Sequence, residues 1–489
     1  QTLDERLARA RLVRARELQR LDQVMIRPRH NQLDGSTPGV NRASTLARRV
    51  WTARRSRGLW RMMDDPQEQT EEQARPGDVP ELLFYYGLVA CYFFAFGMQF
   101  VLFPSLVTFF LGATPQGVGL AQSALSAPMF CFLLFGGLLA ERAKAGPTLA
   151  QLNVIFALAS LGLCAIIVMD ALTYPILIAY AMLVGACAAF MMPVRDAALN
   201  GIVMRESARG RPTSIATAAA TTTAVQIGAQ IAGIVVAANA GSDPAPYLAL
   251  QAIALTLCGT VALFLQAPKP TGHERSISGA FRDMRDGLTY AFRNPVMSPM
   301  LLSAAYTGVF VIGSFQVLFP LIIRDAYGGD SDTQAERLST LFACFWTASF
   351  VSAVILSRAK PLQKPGRAMI VSHLIGAAVL FTFAADKPFL WFIAITVIWG
   401  LAAGVAISMS RTIVQGAAGQ RYLGRVLAVY SMGFMGGAPI GSAIVGFTAA
   451  ELGPRTAALI PATGLALAAI ALAVLTPIWR FDSSTHQFD

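Results

Sequence analysis

The chain has 489 residues, 55% of them hydrophobic and only 14% charged, with a formal net charge of +11. Soluble globular proteins carry about 25% charged residues, so that class is excluded, and a mean hydropathy of +0.53 calls for lipid-facing surface. The basic excess needs no nucleic-acid partner, because it follows the distribution of Lys and Arg around membrane spans.

Residues 1–80 are unlike the rest and read as a basic cytoplasmic tail with amphipathic helices. Residues 3–26 form a helical pattern rich in Arg and Leu, and residues 43–63 set Trp51 and Trp60 among Arg48, Arg49, Arg54, Arg55, Arg57 and Arg61. A basic segment of this kind suits an anionic lipid surface; a protein partner is the alternative occupant. The acidic stretch 64–72 follows as a linker.

From residue 82 the apolar runs are long enough to cross a bilayer, which takes about 20 residues. Hydrocarbon offers the backbone no hydrogen bonds, so each run is read as a helix. Twelve spans are expected, at 82–111, 117–141, 147–170, 173–200, 213–239, 245–267, 296–324, 337–357, 367–386, 388–411, 425–451 and 454–479. The first is too long, and too far behind the charged tail, for a signal peptide. Breakers such as Thr114-Pro115-Gln116-Gly117, Lys387-Pro388 and Gly453-Pro454 mark the short turns.

Eighteen Lys and Arg fall in one set of loops, from Arg142 and Lys144 to Arg421 and Arg425, against four in the alternate set (Arg324, Arg337, Lys387 and Arg455). The tail adds sixteen arginines to the first set. Basic loops stay cytoplasmic, which places both termini there.

The chain also repeats itself. Gly97-Met-Gln-Phe-Val-Leu-Phe-Pro104 recurs as Gly313-Ser-Phe-Gln-Val-Leu-Phe-Pro320, Arg142-Ala-Lys144 as Arg358-Ala-Lys360, and Arg195 as Arg411, all 216 residues apart. One shared offset means duplicated architecture: six spans repeated as six in the same orientation. The expected organisation is a tail at 1–80, a six-helix half at 81–267, a connecting loop at 268–295, a second half at 296–480 and a short cytoplasmic tail at 481–489. In the loop, Phe281, Met284, Leu288 and Phe292 fall at helical spacing, which predicts an amphipathic helix on the membrane surface.

Polar groups inside spans are costly and mark candidate pathways. Gln99 and Gln316 lie on the first helix of each repeat; Gln122, Gln226 and Gln230 add amides, and Tyr306 and Trp346 aromatic surface. Each can serve substrate contact or helix–helix hydrogen bonding equally well. No Asp, Glu, Lys or Arg falls near the middle of a span, and the cavity is expected to suit a neutral or mixed polar-aromatic molecule. His373 stands in span nine as a coupling candidate, against a plain packing role. The six cysteines fall singly within spans and suggest packing; no metal or cofactor is expected. No nucleophile–base pair or phosphate-binding glycine loop argues for an enzyme.

These features resemble the major facilitator superfamily over roughly residues 81–480. Gly137-Leu-Leu-Ala-Glu-Arg142 matches that family's loop motif between spans two and three, with Glu in place of Asp. Pro193-Val-Arg195-Asp-Ala-Ala-Leu199, Gly287-Leu-Thr-Tyr-Ala-Phe-Arg-Asn-Pro295 and Gly424-Arg-Val-Leu-Ala-Val-Tyr-Ser431 are similar to the bacterial exporter branch that includes enterobactin and macrolide exporters. The resemblance implies an all-α, twelve-span fold and alternating access, with efflux of a drug- or siderophore-class amphipath across the bacterial inner membrane. It implies a gate latch of Glu141 with Arg195, with Arg142, Asp196, Arg411 and Arg425 nearby; Arg195 and Arg411 can alternatively snorkel to lipid phosphates. Glu141 is then a second coupling candidate. Span five lacks the exporters' glycine-proline motif, having Ile227-Gly-Ala-Gln-Ile-Ala-Gly233, so an importer remains the rival. A non-transporting scaffold that works through the tail is the third reading.

Overall fold

The computed structural model describes residues 80–481, apart from 143, 212, 267–276, 360–361 and 419–422. The tail readings therefore lie outside the described residues. Among those described, eleven helices are long and apolar enough to cross a membrane. The 28-residue helix Pro115–Arg142 takes the place of the second span, completing twelve in two parallel six-helix repeats.

The expected spans are all present, and their ends move where charge is satisfied. Span four runs from Tyr174 to Ala208, eight residues past its expected end at 200. Its last turns hold Arg205 and Glu206, which find ionic partners and let the helix continue beyond the apolar layer. Span eight begins at Ser331, because Asp330 caps it, its carboxylate accepting from the Thr333 N–H at 3.2 Å. Span ten extends to Ala417. The connecting helix spans Ile277–Arg293, with Ala291 buried and with Leu288 and Phe292 exposed.

The repeated phrases behave alike in three dimensions. Proline supplies no N–H and disturbs the ladder around it. After Pro104 the first span loosens into a π-turn at Leu106–Phe110; after Pro320 the seventh does so at Ile323–Tyr327. Gly97 sits against the backbone of Gln230 in span five, and Gly313 against Gly441 and Ser442 in span eleven. Spans one and five of the first repeat thus meet as seven and eleven do in the second. Gly233 and Gly437 also abut neighbouring backbone, whereas Gly228 has nothing within 4 Å of where a Cβ would stand.

At the end where span one starts, here the proximal end, a network missed by the sequence reading joins three segments. The buried Glu81 carboxylate accepts from Arg205 Nη2 at 2.6 Å, Arg205 Nε at 3.0 Å and Gln266 N at 2.9 Å. Glu206, 2% exposed, accepts from the Glu81 N–H at 3.0 Å and lies 3.6 and 3.4 Å from Arg209 and Arg211. Removing one partner of a buried pair strands the other's charge, at about 3–5 kcal/mol. Glu81→Gln is expected to cost about 3 kcal/mol, the low end because the arginines are partly solvated, and to lower the melting temperature in detergent. An unchanged melting temperature would show the network to be dispensable.

The distal end ties the repeats together. Ser242 donates its N–H and hydroxyl to the Asp332 carboxylate at 2.8 and 2.5 Å, and Arg324 Nη1 donates to the Ala113 carbonyl at 2.7 Å. Ser339 Oγ donates to the Ile234 carbonyl, and Ser123 Oγ to that of Pro439, at 2.8 and 2.7 Å. Gly119 and Gly446 let spans two and eleven approach backbone to backbone.

Candidate functional site

Below these distal ties lies a cavity of about 430 Å³ walled by both repeats. The first span contributes Tyr92, Phe93, Phe96, Gln99 and Phe100, and the seventh Val311, Ile312, Phe315 and Gln316. A run of apolar residues in a central span has no core of its own to fill, so its aromatic rings pack across the gap. Phe315 and Phe345 have ring centroids 4.4 Å apart; Phe345 and Trp399 are 5.5 Å apart. Phe100 meets Trp346 edge-on at 5.9 Å, one repeat against the other.

Of the sequence-proposed cavity residues, Gln99, Gln226, Gln230, Gln316 and Trp346 line this space. Gln122 and Tyr306 do not. Gln122 is one turn distal of the lining residue Ser126, where spans two and eleven have already closed together. Tyr306 directly precedes the lining residue Thr307, and one residue turns a helix by about 100°. Its ring faces His373 edge-on at 5.4 Å, and its hydroxyl accepts from Ser303 Oγ at 3.3 Å.

Gln99 has a defined amide orientation. Its Oε1 accepts from Tyr180 Oη and from Gln251 Nε2, both at 2.9 Å, and Gln251 is itself held by Ser160 and by the Ala95 carbonyl. Two donors on one atom identify it as the oxygen. The Gln99 Nε2 therefore stands buried with no protein acceptor, as do Gln230 Nε2 and the Trp346 indole N–H. A buried donor left this way costs about 1–3 kcal/mol, a penalty that a ligand can relieve.

His373 is 5% exposed and borders the cavity. Its Nδ1 lies 2.9 Å from the Met369 carbonyl and so carries hydrogen, because a carbonyl only accepts. Its Nε2 lies 3.1 Å from Thr307 Oγ1, whose hydroxyl also reaches the Ser303 carbonyl at 2.7 Å.

The gate candidates are placed unevenly. Arg195 is buried; it donates from Nε and Nη2 to Asp196 at 3.0 and 2.8 Å and lies 4.9 Å over the Phe93 ring, with Nη1 unpartnered. The side chains of Glu141, Arg142 and Arg425 lie outside the described residues. Arg411 is exposed and belongs to the cavity wall. This overturns the expectation of a cavity without a basic group: a residue assigned from sequence to the span end has a side chain long enough to reach inward. Among the described residues, no group of three His, Cys, Asp or Glu could hold a metal ion.

Comparison with known proteins fits this geometry. The sequence profile of the Major Facilitator Superfamily matches residues 86–432. The enterobactin exporter EntS of Citrobacter koseri is 23% identical over 363 residues, covering 73% of this chain and 83% of that protein. Among solved structures, the nucleoside transporter NupG superposes with a TM-score of 0.63 at 14% identity, over 83% of this chain and 100% of that one. A bacterial homologue of the human lysosomal transporter Spinster, inward-facing and occupied, gives 0.58 at 13% identity, over 84% and 98%.

Proposed function

This chain belongs to the Major Facilitator Superfamily, and from that premise we propose an alternating-access exporter of a small amphipathic compound. The observation that carries the reading is the aromatic and amide-lined cavity between the repeats, beneath a distal end tied shut. The halves, taken as 81–267 and 296–480, rock about that cavity, and likeness to the enterobactin exporter favours outward movement. The loop charges favour a bacterial cytoplasmic membrane with both termini inside, and the basic tail meets anionic lipid or a protein partner there.

The coupling candidates are Glu141 and His373, and a packing role is the alternative for His373. Protonated at both nitrogens, the ring donates to Met369 and to Thr307 together, which leaves the Thr307 proton to Ser303. One proton would then reset contacts between spans nine and seven, immediately before the π-turn at Gly308–Ile312.

Solute flux in proteoliposomes tests the reading, with siderophores, macrolides and amphipathic dyes, each with and without an imposed pH gradient. Gln316→Ala is expected to reduce flux about tenfold, the worth of one good hydrogen bond in a dry cavity, and deletion of residues 1–75 to leave it intact. A gradient response lost in His373→Gln supports coupling there. Flux that needs the tail but not Gln316 would favour the scaffold reading, and inward flux an importer.

A further inference from the structure

We infer that the cavity takes an aromatic carboxylate, with Arg411 as its charge partner; this narrows the substrate class of the transport reading and rests on it. The repeat supplies the first step. Arg195 and Arg411 are equivalent positions, but the residues that follow them differ: Asp196 neutralises the first arginine, and Thr412 cannot neutralise the second. Arg411 stands in the cavity wall, and no Asp or Glu is among the described residues that line it. An arginine with no acid beside it in the wall draws an anion, even though Arg411 is itself exposed and partly screened by solvent.

The donors in the wall agree. Gln316 Oε1 lacks a donor, but the Gln99 NH₂ group, fixed by the two donors on its oxygen, and the Trp346 indole N–H are buried donors without an acceptor. Both groups ask for an acceptor. A carboxylate supplies several acceptor sites and matches the planar guanidinium fork. The half-buried rings of Phe96 and Phe100 offer apolar surface to the rest of the molecule, backed by the buried Phe315 and Trp399. A cationic amphipath would meet Arg411 with like charge; a neutral one would leave it unpaired.

Calorimetric titration of the purified full-length chain in detergent separates these cases, using 2-naphthoate, 2-naphthamide and 2-naphthyltrimethylammonium as probes of one shape and three charges. Naphthoate is expected to bind about tenfold tighter than the amide. Arg411→Gln should bring that ratio to about one, Arg411→Lys should keep part of it, and Arg282→Gln, exposed on the connecting helix, should leave it unchanged. Amide or cation binding as tight as naphthoate overturns the inference; so does a ratio that survives Arg411→Gln, or no saturable binding by protein that still melts cooperatively. Binding here is read without flux. A failed flux assay therefore counts against transport alone, and a lost anion preference against the carboxylate alone.

Discussion

Oxidising a Ser242→Cys, Asp332→Cys double variant is expected to stop solute flux in proteoliposomes, and reducing it to restore flux. The Ser242 hydroxyl already meets the Asp332 carboxylate across the distal end at 2.5 Å, and the Ser242 N–H reaches the same carboxylate at 2.8 Å, so a disulfide asks little of the backbone. If the halves must part there to release cargo, a covalent tie holds the cavity shut on that side. Flux should then fall in proportion to the cross-linked fraction read from gel mobility. The six native cysteines, all free, are replaced by alanine first so that no other bridge competes. Asp386→Cys with Arg455→Cys, joined by a short bis-thiosulfonate because the length of arginine sets the two Cβ atoms apart, serves as the control. That ion pair, at 2.8 Å, lies at the same end but within one repeat, and its cross-linking should leave flux intact. Full flux from fully cross-linked protein would sink alternating access at this end.

The contrast between those two pairs also shows what the sequence could reveal. Asp386 and Arg455 could be placed at one end by counting spans, but nothing local indicated that Ser242 and Asp332, ninety residues apart, would meet. The network of Glu81, Arg205, Glu206 and Gln266 stayed hidden for the same reason. Its links to Glu81 join residues separated by more than a hundred positions, and a lone Glu at a span start looks like any helix-dipole partner. Periodic and composition-driven features were legible: the spans, the repeat, and Gln99 and Gln316 on the central helices. Rotation about a helix was not, which is why Tyr306 was expected in the cavity and Thr307 was not. The reach of Arg411 was missed because a span boundary locates a Cα atom, while a guanidinium sits several bonds away. Its significance lay in the next residue: the repeat aligns Asp196 with Thr412, and the loss of that acid leaves the second arginine without its neutralising neighbour.

Gly97→Ala and Gly313→Ala are expected to destabilise the protein sharply, and Gly228→Ala to leave it unchanged or firmer. Alanine is the better helix former by about 1 kcal/mol, so propensity alone predicts a gain at all three positions. Packing reverses the sign at two of them. A Cβ at Gly313 would stand 2.5 Å from Ser442 N and 2.6 Å from Gly441 Cα, and one at Gly97 would meet the Gln230 carbonyl. These are backbone atoms with no rotamer to yield, so span one must move off five, and seven off eleven. Overpacking of this kind costs about 1–3 kcal/mol and occasionally more, and a whole-helix displacement belongs at the upper end. Melting temperature and the monodisperse fraction in detergent measure the effect. Equal losses at Gly97 and Gly313, with Gly228 spared, follow only if the duplicated phrase marks the same helix contact twice. Loss at one glycine alone would mean that the halves have diverged in how they pack, and tolerance at both would show that neither helix pair depends on so close an approach.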